Sequence, residues 1–197
     1  PSFMFSSYYY LFKSQIFIQM AKPGKVLSDG KKMSGELFSL TYGALVADMI
    51  KDFDDINQVN TQLDKMGFNM GTRLADDFLS KRTNVSRCTD CKQMADTLAK
   101  EVIPMYLGVS ASISNWSSGD KEFSLILDNN PLMELVEVPQ SMSSLNYSQL
   151  LAGAIRGGLE AVHIKVFSSV NENPSNTEIR IRFDCILKDA LPAGDED

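Results

Sequence analysis

Hydrophobic and polar positions follow two different periods along this chain. From Glu36 to Phe53 the apolar residues Phe38, Tyr42, Leu45, Met49 and Phe53 recur at steps of three and four, which predicts a helix. Leu37, Leu40, Ala44 and Val46 widen that stripe, so the helix is expected to be buried on most sides. Asp54-Asp55 supplies an N-cap for a second helix, in which Ile56, Val59, Leu63, Met66 and Met70 lead on to Leu74 and Phe78. Gly67 and Gly71 within it mark either a kink or the close approach of another backbone. The polar stretch Ser80–Arg87 ends this helix, and a third follows at about Asp90–Leu107, with Pro104 near its end.

The period then changes to two. Val109, Ala111 and Ile113 alternate with serines, a turn falls at Ser117–Asp120, and Phe123, Leu125 and Leu127 alternate again, predicting a hairpin with one buried face. Leu132–Val138 is a short apolar stretch, strand or irregular, between Asn130-Pro131 and Pro139. A fourth helix is predicted at about Ser144–Val162. Its Gly153, Gly157 and Gly158 cost roughly 1 kcal/mol each relative to alanine in an exposed helix, and the usual return is close packing against another backbone. A second hairpin joins His163–Val170 to Thr177–Leu187 across a turn at Asn171–Asn176. The order predicts an α+β domain: about four main helices packed on a twisted antiparallel sheet of about four strands. There is no internal repeat and no low-complexity segment.

Composition narrows the functions open to such a domain. A chain of 197 residues that is 44% hydrophobic suits one domain with a substantial core. Three cysteines exclude a disulfide scaffold. The net charge of −6 argues against a nucleic-acid partner, whose phosphates need clustered Lys and Arg. One histidine removes most metal sites and most His-based acid–base chemistry. No catalytic residue and no metal ligand is assigned, and the chain does not read as a conventional enzyme.

Charge and aromatic residues are unevenly spread. Residues 1–34 carry a local +4, which leaves −10 for the rest, and seven of the 18 aromatics lie in the first 20 residues. Ser6, Ser7, Lys13, Ser14, Gln15 and Gln19 interrupt that aromatic stretch, so it fits neither a membrane span nor a signal peptide. Met20 is expected to start the natural product, with residues 1–19 an appended or upstream segment. The expected division is an N-terminal extension at 1–34, one domain at 35–190 and an acidic tail at 191–197.

Cys88-Thr-Asp-Cys91 is the most conspicuous local motif. A redox CxxC would follow a strand, and a zinc site would need two more ligands from Cys185 and His163 on separate predicted strands. The plainer alternative is two ordinary cysteines. Cys88 is expected at a helix start beside Arg87, and both features favour the thiolate. Cys91, one turn further in, is expected to face the core. From Cys88 one helical face runs past Ala95, Leu98, Ala99 and Val102, apolar and mostly small, over a track of roughly 21 Å. That length matches a long fatty acyl chain, although periodicity alone favours close packing against a neighbour. His163 is expected at the surface, Trp116 as a packing anchor, and Arg180 and Arg182 on a solvated sheet face or facing a partner.

Several long segments together resemble the palmitoylated core subunits of the transport protein particle (TRAPP), a vesicle-tethering complex of the early secretory pathway. They are GELFSLTYGALV, QVNTQLDKMGFNMGTRLADDFL, NVSRC, MYLGVSASISNW, EFSLILDNNPLMELVEVP, LLAGAIRGGLEAV, TEIRIRF and LPAG, in order from about Met33 to the C-terminus. The resemblance implies a covalent palmitate, or similar long acyl chain, on Cys88. Arg87 beside it would activate the thiol for self-acylation, and an internal apolar channel, for which Ala95, Leu98, Ala99 and Val102 are candidates, would hold the chain. It implies heterodimers with other TRAPP subunits in a multisubunit complex, and a homodimer when isolated. It further implies a contribution to guanine-nucleotide exchange on the Rab GTPase of ER-to-Golgi transport, with the tail residues Leu191, Pro192, Ala193 and Gly194 facing the GTPase. The implied location is cytoplasmic and peripheral at the cis-Golgi and endoplasmic reticulum, with membrane association through the complex. Two positions depart from the family pattern. Cys91 stands where an aromatic is usual, which argues against a redox role, and Val102 stands where a smaller alanine is expected, which narrows the channel. The alternative function is a stand-alone carrier of an exchangeable apolar ligand with Cys88 unmodified.

Overall fold

The computed structural model describes residues 34–82, 88 and 90–187. The expected extension up to Met33, Arg87, and the tail with Leu191, Pro192, Ala193 and Gly194 lie outside the described residues. Helix α1 (Gly35–Asp52) starts at Ser34, whose hydroxyl accepts the Leu37 N–H. Its buried face is Ser39, Tyr42, Val46 and Met49, spaced by three and four. The expected burial on most sides is not found, since Leu37 and Leu40 are 53% and 59% exposed. One face of α1 meets the core, Phe38, Leu45 and Ile50 pack partly buried at its margins, and Leu37 and Leu40 point outward.

Helix α2 (Ile56–Lys81) is capped by Asp55, which accepts the Asn57 N–H at 2.9 Å, and runs uninterrupted through Gly67 and Gly71. Helix α3 (Cys91–Thr97) begins after Asp90, whose carboxylate accepts the Gln93 N–H at 2.7 Å. It widens into a π-helical segment at Leu98–Val102 and continues as α4 (Ile103–Leu107), which ends at Gly108 with φ 71°. The predicted third helix is therefore one helical rod with a wide turn in its middle, a feature often associated with functional sites.

The sheet contains β1 (Ser112–Ser114), β2 (Glu122–Leu127), β3 (Ile164–Glu172) and β4 (Thr177–Ile186) in the order β1-β2-β4-β3, all antiparallel. Strand β1 is shorter than the alternation from Val109 predicts. Leu132–Val138 is irregular, and α5 (Gln149–Ala161) starts later than expected, after a short 3-10 turn at Gln140–Met142. Phe123, Leu125, Ile179 and Ile181 are fully buried, and their register pairs Phe123 with Ile181 and Leu125 with Ile179. Helix α5 covers β3, where the Ser168 hydroxyl donates to the Ala152 carbonyl at 2.9 Å.

The crossing of α2 and α5 determines the shape of the core. A Cβ on Gly67 would stand 2.1 Å from the Leu150 carbonyl oxygen, and one on Gly71 would stand 1.9 Å from that of Ala154. In return, a Cβ on Gly153 or Gly157 would meet the carbonyl oxygen of Asp64 or Phe68 at 2.3 and 2.1 Å. The glycines let the two backbones touch, which decides between a kink and close approach. Arg156 of α5 pairs with Asp64 and stacks on Phe68, its guanidinium carbon 4.8 Å from the ring centre, and so anchors the crossing at its edge.

Buried polar groups tie the loops to this core. The Asn130 amide donates to Ser148 Oγ at 2.8 Å and Thr177 Oγ1 at 3.0 Å, while its carbonyl accepts the Leu132 N–H at 3.1 Å. That one side chain joins the loop after β2, the start of α5 and the start of β4. The Tyr42 hydroxyl donates to the Tyr147 carbonyl at 2.6 Å, holding α1 against the chain that enters α5.

Candidate functional site

Beside the glycine crossing of α2 and α5 lies a cavity of about 840 Å³. Its walls come from α2 (Leu74, Ala75, Phe78), the α3–α4 rod (Met94, Leu98, Ile103), α5 (Leu151, Ile155, Leu159) and the end of β4 (Phe183, Ile186). Gly71, Ala154 and Gly158 line it too, so the small residues of the crossing also hollow the interior. The volume falls within the range of about 300–1,000 Å³ typical of small-molecule sites, and the wall has the apolar character of such sites.

Polar groups cluster where the rod begins. Cys88, Asp90, Cys91, Lys92, Asp120 and Lys121 all border the cavity. Lys92 Nζ lies 2.7 Å from Asp120, bridging α3 to the turn between β1 and β2, where Asp120 adopts φ 52°. An apolar chamber with thiols and mixed charges on its border suits a long aliphatic chain held at a polar end.

Cys88 is half-buried and borders the cavity, two residues before the Asp90 cap rather than within the helix. The first helical residue is Cys91, so the helix-start position expected for Cys88 belongs to Cys91. Cys91 is also half-buried and borders the same cavity. Its thiol pKa is pushed up by burial first and by the neighbouring Asp90 charge second, with Lys121 opposing and Asp120 reinforcing the shift. The Asp90 that caps the helix thus cancels the advantage that a thiol normally gains there.

Of the four residues read as a channel track, Leu98 and Val102 line the cavity, while Ala95 and Ala99 lie in the packed core at 0% and 3% exposure. The lining continues past Val102 to Ile103, Tyr106 and Leu107. Sequence reasoning on one helix missed the walls from α2, α5 and β4. Their apolar stripes are legible, but no pattern within a stripe tells which side chains border a space and which fill one. Tyr106 had no signal of its own; its hydroxyl lies 2.8 Å from Asp77 and 3.1 Å from the Leu74 carbonyl, and burial raises its pKa.

The remaining candidates fall elsewhere. His163 is exposed at the α5–β3 turn with φ 65°. Trp116 packs on Phe123 with ring centres 5.0 Å apart. Arg180 pairs with Glu122 at 2.5 Å, and Arg182 lies over Phe167 at 4.7 Å, so both serve the outer face of the sheet. Cys185 is exposed, and among the described residues no cluster of three or more His, Cys, Asp or Glu suits a metal ion. No described helix is long and apolar enough to cross a membrane.

A family model for transport protein particle (TRAPP) components matches residues 38–184. The chain belongs to the TRAPP component family. This TRAPP component is 63% identical over 173 residues to a trafficking protein particle complex subunit 3 homolog of Caenorhabditis briggsae, covering 87% of this chain and 96% of that one. It is 41% identical over 174 residues to trafficking protein particle complex subunit 3 of Dictyostelium discoideum, covering 86% and 93%. Among solved structures, trafficking protein particle complex subunit 3 from Naegleria fowleri, covalently bound to palmitic acid, matches with a TM-score of 0.74 at 40% identity. The match covers 79% of this chain and 98% of that one. The α+β fold expected from the sequence, four helical segments on a four-stranded antiparallel sheet, agrees with the observed architecture and with that match.

Proposed function

We propose that this chain is a core scaffold subunit of a TRAPP vesicle-tethering complex in ER-to-Golgi transport, with a long acyl chain thioester-linked to Cys88 and lodged in the apolar cavity. The observation that carries this reading is the half-buried Cys88 thiol on the border of an apolar cavity of about 840 Å³. The covalent palmitate of the 40% identical Naegleria protein supports it. Arg87, adjacent in sequence, stabilises the thiolate while the acyl group is transferred to it.

Burial of the chain has a physical consequence for what the lipid does. Each buried CH₂ contributes about 0.8 kcal/mol, of the order of 10 kcal/mol for a long chain. A chain sequestered at that advantage stabilises the fold and is withheld from the bilayer. Membrane contact then comes through the assembled complex, peripherally and from the cytoplasmic side. The partners are other TRAPP subunits, bound as heterodimers, and the composite assembly promotes nucleotide exchange on a Rab GTPase, which the tail at Leu191–Gly194 contacts.

The test combines affinity capture of the tagged full-length chain from its own cells with intact-mass measurement. The expected result is recovery of other TRAPP subunits together with a chain heavier by one palmitoyl-sized acyl group, lost on treating the unfolded protein with hydroxylamine. Recovery of the chain alone, at its unmodified mass and with an extractable lipid, would show the stand-alone carrier instead.

A further inference from the structure

We infer that the outer face of the sheet, around Phe167 and Arg182, is a docking site for the acidic C-terminal segment of this same chain. On β3, Val166 and Val170 are buried on the inner side, where α5 packs. Phe167 between them points the other way and is 48% exposed, a large apolar ring on an otherwise polar face. Arg182, its register partner on β4, is also exposed and lays its guanidinium carbon 4.7 Å from the ring centre. A guanidinium resting on an aromatic face keeps its hydrogen-bonding edge free, and it loses little further freedom on meeting a carboxylate.

The charges around this pair are matched with one another and leave Arg182 over. Glu122 stands opposite Arg182 in the register, but it pairs with Arg180 at 2.5 Å. Asp184 pairs with Lys165 at 3.6 Å. The Glu178 carboxylate accepts the Ser124 hydroxyl at 2.5 Å and the Asn115 amide at 3.0 Å. Among the described residues, Arg182 has no carboxylate partner. An arginine stacked beside an exposed aromatic is the kind of anchor on which protein contacts concentrate, and the group it lacks is an acid.

The strand that carries Arg182 leads directly to such acids. Strand β4 runs to Ile186, and residues 188–197, outside the described residues, read KDALPAGDED, with Asp195, Glu196 and Asp197 in a row. From Leu187 back to Arg182 is about 17 Å along the strand. The residues from Leu187 to Asp195 span up to about 26 Å. The three carboxylates therefore reach Arg182 with slack for a reversal, which Pro192 and Gly194 favour. Tethering raises their effective concentration to the order of mM, so a single charge-assisted pair holds a large share of the tails. The consequence rests on the reading that this tail meets the GTPase: a docked tail is withheld until the GTPase competes for it.

The test compares amide NMR spectra of the isotope-labelled full-length chain, of Arg182→Gln, and of a variant with a neutral tail (Asp195→Asn, Glu196→Gln, Asp197→Asn). The expected result is reciprocal. Arg182→Gln moves the signals of Asp195, Glu196 and Asp197, and neutralising the tail moves those of Phe167 and Arg182. Both differences should disappear at about 0.5 M salt, which screens charges beyond about 4 Å. Tail signals unmoved by Arg182→Gln would overturn the inference. Phe167 signals that shift with protein concentration and not with the tail would place a second copy on this face and overturn it too. Reciprocal shifts, combined with an exchange rate of the assembled complex that is unchanged on removing residues 188–197, would uphold the docking and refute the GTPase contact. Arg182 is exposed, and circular dichroism of each variant confirms that it folds.

Discussion

Replacing Gly71 with alanine tests the packing that creates the cavity. The added Cβ would stand 1.9 Å from the Ala154 carbonyl oxygen and 2.7 Å from the Gly158 nitrogen, both backbone atoms that no rotamer change can move. Reaching ordinary contact at 3.4 Å requires α2 and α5 to part by about 1.5 Å. Overpacking of this kind costs about 3 kcal/mol, the upper part of its usual range, when backbone must shift. Alanine returns about 1 kcal/mol through its better helix propensity. The net loss is about 2 kcal/mol, or a melting temperature lower by about 4–8 °C for a chain of this size. Gly158→Ala is the matched control on the facing helix. Its Cβ would lie 3.4 Å from the Gly71 carbonyl oxygen, at the edge of ordinary contact, so the propensity gain survives and the melting temperature should rise by about 2–4 °C. Thermal and urea unfolding of the two variants, followed by circular dichroism, provides the comparison. Equal destabilisation by both, or no effect of Gly71→Ala, would refute the reasoning that direct backbone contact at this crossing organises the core.

Other outcomes follow from single groups. Asn130→Ala removes two donated hydrogen bonds and one accepted one from a buried junction, and should cost about 3 kcal/mol in urea unfolding, since the groups left behind lose partners away from water. Above pH 10 the protein should lose stability: burial raises the pKa of Tyr147 to about 12 and also raises that of Tyr42, while unfolded tyrosine ionises near its ordinary 10.0. Between those values the unfolded state releases protons that the folded state retains, so stability falls as pH rises. Circular dichroism should report unfolding between pH 10 and 12, and replacing both Tyr42 and Tyr147 with Phe should weaken that pH dependence; an unchanged alkaline transition in the double variant would contradict this. Cys88→Ser should lower the melting temperature of protein isolated from cells by about 5 °C or more, corresponding to at least about 2 kcal/mol, while leaving subunit association in place, as size-exclusion chromatography with its partners would show.

How much of this was legible in the sequence depended on whether a feature is local. Asp55 and Asp90 act as caps, and the alternation of Phe123, Leu125 and Leu127 reads directly as a buried strand face, because each depends on near neighbours in the chain. The α1 stripe misled because Leu37 and Leu40 are apolar yet exposed, and hydrophobicity alone does not tell a core face from another surface. The π-helical turn at Leu98–Val102 had no visible signal, since it reflects how the rod packs and not the residues within it. Along that rod, Ala95 and Ala99 point into packed core and Leu98 and Val102 into the cavity, a division set by the neighbouring elements. The sequence singles out Cys88 as a thiol, but its position before the cap, and the cavity border it shares with Cys91, needed three dimensions. The glycines gave the strongest long-range hint: two pairs four residues apart, on two helices, have no local use and belong to a contact.

The central claim is that a thioester on Cys88 carries a chain buried inside the fold. The most direct test is the rate at which hydroxylamine releases acyl mass from native protein, measured first folded and then in strong denaturant. The expected result is release within the assay in denaturant and retention of the acyl group under native conditions for far longer. Equal release rates in both, or no acyl mass on Cys88 at all, would contradict the claim.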